Sequence, residues 1–235
     1  MSLFNRLSIV IPVYNEEQYI ECVIERVLRA DVSHLQKEII IVNDRSTDRT
    51  GEILENLAAQ HDIIHIYNQA VNMGKGAALR RGFDEASGDI ILIQDADLEY
   101  DPVDYPDLLA PILDGRADVV YGSRFLGGPH RVLFFWHQVA NFLLTLLSNL
   151  TTNLNLSDME TGYKVFKAEV LRSIQLRSNR FGFEPEVTAK IAKLGCRIYE
   201  TPISYSGRSY EEGKKIGWKD GVQAIGSILR YAIKD

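Results

Sequence analysis

Three acidic side chains stand at alternate positions just where an apolar run stops, in Ile90-Ile91-Leu92-Ile93-Gln94-Asp95-Ala96-Asp97-Leu98-Glu99. The run has the length of a buried strand, and open α/β sheets bind ligands beyond the carboxyl ends of their strands. Carboxylates this close repel one another unless a hard cation neutralises them, and Mg²⁺ or Mn²⁺ does so while bridging phosphates. Asp97 and Glu99 are the expected ligands, with Asp95 as a third or just behind them. An isolated Asp-x-Asp more often, about two times in three, only caps a helix or solvates a loop. Its surroundings must decide.

Near the N-terminus, Leu7-Ser8-Ile9-Val10-Ile11-Pro12-Val13-Tyr14-Asn15-Glu16-Glu17 reads as a strand, a turn and a helix with Ile20, Val23, Ile24, Val27 and Leu28 on one face. A β-branched strand, Glu38 to Val42, then ends in Asn43-Asp44-Arg45-Ser46-Thr47-Asp48, whose hydroxyls and carboxylate can cap a helix beginning near Arg49. These two turns resemble the PVYNE and VDDGSTD motifs of the family-two glycosyltransferases with the GT-A fold, and Gln94 to Glu99 resembles their metal-binding acidic motif. Asn72-Met73-Gly74-Lys75-Gly76 is similar to the family's GKG helix start, and Tyr121-Gly122-Ser123-Arg124-Phe125 to its GSR turn. Asp158 to Phe166, Gly182-Phe183-Glu184-Pro185-Glu186 and Arg208 to Ile216 resemble the polyprenyl-phosphate branch, typified by dolichyl-phosphate mannosyltransferase. The chain departs from the pattern at Asn43 (usually Asp), Arg45 (usually Gly) and Glu99 (Gln in the dolichyl-phosphate enzymes).

The resemblance implies a metal-dependent, inverting transfer of a sugar from a nucleotide-diphosphate donor, GDP-mannose or UDP-glucose, to a polyprenyl or dolichyl phosphate. It places Pro12, Tyr14, Glu16 and Asp44 at the base and ribose, and Asp95 near the ribose or behind the metal. Lys75 sits where a helix N-terminus can approach an anion closely. A lipid phosphate is already anionic and needs no general base, only cations to overcome repulsion from the diphosphate; Arg124, Arg131 and Arg208 are the candidates. If the acceptor is instead a saccharide hydroxyl, a carboxylate must take its proton, and Asp158 or Glu160 is the expected base. A third reading, from another class, is a catalytically idle nucleotide-binding or scaffold subunit of a membrane complex.

Other phosphate-binding architectures fail on inspection. The first turn lacks the Gly-x-Gly-x-x-Gly of a dinucleotide fold, Gly74-Lys75-Gly76-Ala77 lacks the first glycine and the hydroxyl of a P-loop, and the glycine-rich N-terminal loop of a sugar-nucleotide pyrophosphorylase is missing. A net charge of −6 over 235 residues argues against a nucleic-acid partner. Cys22 and Cys196 have neither metal-ligand spacing nor the density of a disulfide framework. With no signal peptide expected ahead of the first strand, a cytoplasmic protein, peripheral at the inner face of the membrane, is the expectation.

Strands are expected near 7–13, 38–43, 62–67, 89–94 and 117–121 and helices near 17–30, 49–60, 75–87 and 104–114, followed by a more irregular second half. This alternation predicts a single α/β domain with a mainly parallel, doubly wound sheet of GT-A type, residues 1–121 forming the nucleotide-sugar half and 122–235 the acceptor side. Val132 to Leu150 is apolar over more of its circumference than one core-facing stripe requires, yet too interrupted by polar residues to span a bilayer of about 20 apolar residues. It is either a central buried helix or one partly facing a bilayer or lipid. His137 and Asn141, four apart, share a face suited to an acceptor phosphate. Ser204 to Gly217, carrying Arg208, Lys214 and Lys215, reads as a loop expected to be mobile until a phosphate orders it.

Overall fold

The central strands of the first half are β-branched and leucine-rich because they are buried on both faces, while the third strand, at the sheet edge, is only partly buried. In the computed structural model, which describes residues 4–127, 130–132, 134–208 and 218–233 (side chains of 218–220 excepted), β1 (Arg6–Val13), β2 (Gln36–Asn43), β3 (Ile64–Asn68) and β4 (Ile90–Ile93) pair in parallel. Helices α1 (Ile20–Arg29), α2 (Thr50–Gln60) and α3 (Lys75–Glu85) connect them. A short 3-10 turn (Pro102–Asp104) and α4 (Tyr105–Leu113) lead to β5 (Val119–Ser123). Beyond it come α5 (Phe135–Thr152), β6 (Lys164–Lys167), α6 (Ala168–Ser173), α7 (Phe183–Lys193), β7 (Ile198–Pro202) and α8 (Trp218–Ile233). The seven strands lie in the order β3-β2-β1-β4-β6-β5-β7.

Alternate residues of β1 separate two apolar layers. Leu7, Ile9, Ile11 and Val13 pack with α1, α2 and α4, while Val10 packs with α3, α7 and α8. On α1 the buried Ile20, Val23, Ile24 and Val27 form one stripe, each side chain contributing about 1.5–3 kcal/mol on burial. The helix begins at Ile20 rather than near 17, because the Glu16 carbonyl accepts the N–H groups of both Tyr19 and Ile20, at 3.0 Å each, in a preceding turn.

The sheet is mainly parallel, as expected, with β6 running antiparallel between β4 and β5. One expectation changes. Among the described residues the second half is regular, with two strands and four helices, but β6 has four residues, too few for period-two alternation to stand out. Since β6 separates β4 from β5, both halves of the chain build one sheet and one domain.

Helix α5 is not central. Its fully buried side chains are Thr145 and Ser148, with Leu144 and Leu147 partly packed on the core, whereas Trp136, Leu150, Phe135 and Phe142 are 75, 74, 66 and 63% exposed. Its fully buried positions are polar, while most of its large apolar side chains face outward. Beside it, α8 buries Ala224, Ile228 and Tyr231 and exposes Val222, Ile225, Leu229 and Ile233. Among the described residues no helix is long and apolar enough to cross a membrane.

Gly82 sets how closely α3 approaches the sheet, since a Cβ there would stand 2.3 Å from Val10 Cγ1. Gly82→Ala gains about 1 kcal/mol of helix propensity but overpacks a branched, rigid neighbour at a cost of about 1–3 kcal/mol. Chemical denaturation is expected to show a lower midpoint at unchanged m-value; a raised midpoint would mean that β1 yields.

Candidate active site

The carboxyl end of β4 lies beside that of β1, where the connections leave in opposite directions, and the acidic turn follows directly. Buried Gln94 anchors it: its Oε1 accepts the hydroxyls of Tyr105 and Tyr163, 2.7 Å each. The carboxylates then divide between two cations. Arg208 Nη2 donates to Asp97 Oδ2 at 2.7 Å, its Nη1 lies 3.3 Å from Glu16 Oε2, and its Nε lies 3.4 Å from Glu99 Oε1. The Arg208 N–H also donates to Glu99 Oε1 (2.9 Å) and Tyr205 Oη to Glu99 Oε2 (2.8 Å). Burial, then the neighbouring Asp95 and Glu99, push the Asp97 carboxyl up to about 7 against the pull of Arg208.

Asp95 instead faces Lys75, the first residue of α3, whose Nζ lies 2.8 Å from Asp95 Oδ1 and 3.3 Å from Glu184 Oε1 on α7. Burial works against the ammonium, but Asp95 and Glu184 outweigh it and hold it firmly charged. Gly74, with φ of 95°, and Gly76 admit the backbone of 178–180 against this helix start, where a Cβ would meet Asn179 O at 2.6 Å and Ser178 O at 2.4 Å. The Ala77 N–H donates to the Asn179 carbonyl at 3.0 Å. The close approach these glycines allow is therefore to the chain itself, and Lys75 reaches the site by its side chain.

The β1–α1 and β2–α2 turns are bonded to each other. Ser46 Oγ accepts from the Asn15 N–H, Asn15 Oδ1 from Thr47 N–H, and Thr50 Oγ1 from Glu16 N–H. Arg45 has φ of 62°, a left-handed conformation glycine adopts at no steric cost, which explains why Gly is usual there. Buried Asp44 accepts from Gln69 Nε2, Met73 N and Gly74 N, so it shapes the loop that delivers Lys75. Pro12 pairs with Val42 one residue before the end of β1, and Tyr14 is exposed at the mouth of the turn.

Arg124 and Asp158 form a bidentate pair, Nε to Oδ2 at 2.6 Å and Nη2 to Oδ1 at 2.7 Å, with Asp158 fully buried. Asn141 bridges them from α5, accepting from Arg124 at 3.1 Å and donating to Asp158 at 3.2 Å. His137 packs its ring on Phe134, 5.1 Å between centroids. All three candidate arginines meet the segment 205–208: Arg124 lies over the Tyr205 ring at 5.2 Å, Arg131 bonds the Tyr205 and Gly207 carbonyls, and Arg208 ends it. Lys214 and Lys215 lie outside the described residues.

Glu160 is the other candidate base. Its Oε1 is sealed from solvent without a hydrogen-bond partner, as is Oε2 of Glu184. Burial, then Glu184, push the Glu160 carboxyl up to about 8. Sequence reasoning did not single out Glu184, Glu200 or Tyr205 as site residues. Glu184 was visible inside the Gly182–Glu186 motif, but Glu200, which accepts from the N–H groups of Ser157 and Asp158 and so fixes the loop carrying Asp158, sits in a strand without motif or periodicity.

Asp97 and Glu99 turn hard oxygen donors toward one guanidinium, a donor chemistry that fits Mg²⁺ or Mn²⁺. With Asp95 turned to Lys75, no group of three or more Asp, Glu, His or Cys among the described residues has the arrangement of a metal site.

The raised Glu160 carboxyl predicts a pH dependence. An acid whose folded pKa of about 8 exceeds its unfolded value contributes stability below the unfolded value, and this is lost as pH rises through 8. Glu160→Gln removes that dependence, so the melting temperature of the variant relative to the wild type is expected to climb between pH 5 and 8.5 in a thermal-shift series. A constant difference across that range would refute the buried-acid assignment.

The family profile of glycosyl transferase family 2 matches residues 8–175. An undecaprenyl-phosphate mannosyltransferase of Micrococcus luteus is 31% identical over 97% of this chain and 94% of its own length. A dolichyl-phosphate beta-glucosyltransferase of Trichomonas vaginalis is 30% identical over 97% and 73%, and a dolichol-phosphate mannosyltransferase of Pyrococcus furiosus 28% identical over 90% and 60%. The chain thus spans three fifths of that archaeal protein. In fold it is similar to glucosyl-3-phosphoglycerate synthase of Mycobacterium tuberculosis, crystallised with Mn²⁺ and UDP-glucose, at a TM-score of 0.77 and 21% identity over 98% of this chain and 80% of the other. With a matched profile covering most of its sheet and a full-length relative above 30% identity, the chain belongs to glycosyl transferase family 2.

Proposed function

We propose that this protein transfers a hexose, mannose or glucose, from a nucleotide-diphosphate donor to a polyprenyl phosphate with inversion, working at the inner surface of a membrane. The observation that carries this reading is the junction of two surfaces. Arg124, Arg131 and Arg208 gather at segment 205–208 above the acidic turn, and from Arg124, through Asn141, an outward-facing apolar helix leads away. An anionic head group and a long apolar tail would need that combination.

Asp97 and Glu99 would hold the divalent cation, which when bound supplies Lewis-acid stabilisation of charge developing on the leaving diphosphate. The residues do the rest. Pro12, Tyr14 and Glu16 border the donor's base and ribose, with Asp44 shaping the loop beneath. Lys75 and Asp95 face the sugar-diphosphate. Arg124, Arg131 and Arg208 offset repulsion between the two substrates' phosphates and bring the acceptor oxygen into line with the anomeric carbon. His137 and Asn141 stand along the path of the head group. Residues 1–121 supply the donor side and 122–235 the acceptor side. The match to an undecaprenyl-phosphate and a dolichyl-phosphate transferase supports the acceptor class, and the Mn²⁺-bound fold neighbour supports a divalent ion.

A second reading, transfer to a saccharide hydroxyl, is favoured by one observation: the raised Glu160 carboxyl suits a general base. Asp158, with both oxygens bound by Arg124 and Asn141, suits it less.

Incubation with labelled GDP-mannose or UDP-glucose, undecaprenyl phosphate and Mn²⁺ is expected to yield a labelled lipid with one donor. Chelation by EDTA abolishes it, and Asp97→Asn lowers turnover by about a hundredfold or more, in line with loss of one electrostatic stabiliser. Transfer to free sugars with none to the lipid phosphate would favour the second reading. The outward side chains of α5 give a further test. Phe134 and Phe135 are exposed, so replacing both with Ser is expected to leave circular dichroism unchanged while narrowing the preference for long over short prenyl phosphates, each buried CH₂ contributing about 0.8 kcal/mol. A folded variant with unaltered chain-length preference would remove the lipid from this helix.

A further inference from the structure

The guanidinium of Arg208 occupies the point on which the acidic turn converges. It touches Asp97, Glu99 and Glu16, which come from two separate turns, and lies 5.6 Å over the Tyr19 ring. Its side chain is 14% exposed. The segment that delivers it is tied to the same turn: Ser206 N–H donates to the Glu99 carbonyl at 2.9 Å, Tyr205 Oη to Glu99 Oε2, and Arg208 N–H to Glu99 Oε1. Asp97 Oδ2 and Glu99 Oε1, the oxygens that face Arg208, are those a cation at this turn would use. Three carboxylates converge on this one guanidinium, and a divalent ion in its place would bring one positive charge more to the same oxygens. Keeping both would set two cations on the same oxygens.

We propose that Arg208 is the internal counter-cation of the acidic turn, holding Asp97 and Glu99 in place in the free protein and yielding them to the divalent ion. This rests on the reading that Asp97 and Glu99 hold the metal. Displacement has a consequence for the reaction: the guanidinium becomes available to an acceptor phosphate only after the metal and donor have taken the carboxylates. The acceptor site is therefore completed second, and a metal-free protein is kept from collecting phosphates unproductively.

Mn²⁺ titration of the full chain without nucleotide, followed by electron paramagnetic resonance, tests the exchange without recourse to activity. Arg208→Gln is expected to bind Mn²⁺ about tenfold more tightly than the wild type, a ratio that corresponds to about 1.4 kcal/mol for the lost competitor. Tyr205→Phe, which loosens the segment but keeps the arginine, is expected to shift in the same direction by less, and serves if the first variant does not fold. In the unaltered protein, Mn²⁺ is expected to speed tryptic cleavage after Arg208. Equal or weaker Mn²⁺ binding by the folded variants, or cleavage indifferent to saturating Mn²⁺, overturns the exchange while leaving the metal reading intact. Absence of Mn²⁺ binding by every protein, Asp97→Asn included, overturns both.

Discussion

The arrangement of this site depends on mutual repulsion of carboxylates in a poorly solvated turn. Asp95, Asp97 and Glu99 follow directly on a buried strand, and Glu16 joins them from the neighbouring turn. Charges so placed must be paired or neutralised. The chain answers with two cations of different kind. Lys75, a compact ammonium fixed at the start of α3, draws Asp95 toward Glu184. Arg208, with a planar fork of donors, spans Asp97, Glu99 and Glu16. One acidic motif is thereby split into a side held by a rigid helix and a side held by an irregular segment.

The rest of the site exists to place those cations. Asp44 spends its carboxylate on the N–H groups of Met73 and Gly74, which sets the direction in which α3 begins and hence where Lys75 points. Glu186 accepts from the Arg177 and Ser178 N–H groups and so steadies the backbone that fits against Gly74 and Gly76. On the far side, Glu200 fixes the loop of Asp158, Asp158 fixes Arg124, and Asn141 ties that pair to α5. Removing either member of the Arg124–Asp158 pair would strand a buried charge, which is why that arginine carries structural as well as chemical weight.

Helix α5 inverts the usual polarity of a surface helix. Its inward Asn141 and Thr145 satisfy partners in the protein, buried Ser148 and the partly packed Leu144 and Leu147 complete that face, and the remaining apolar side chains stay outside. The stripe on α8 extends that surface. An exposed apolar face of this size, beginning at a cluster of arginines, has the form of an interaction surface.

The sequence by itself determined the strands and helices of the first half, because each is a strongly periodic or continuously apolar segment bounded by turn residues. It also determined the identity of the acidic turn, the two turns beside it and their family, since these are local patterns. It could not show that Asp95 and Asp97 look in different directions, because alternate side chains on an irregular turn obey no fixed period. The pairing of Arg208 with Asp97, 111 residues apart, was decided by tertiary structure alone, as was the insertion of β6 between β4 and β5. The same holds for α5: apolar residues on most of its circumference allow either orientation, and the hydrogen bonds of Asn141 with Arg124 and Asp158 and of Thr145 with Met159 turn that face inward.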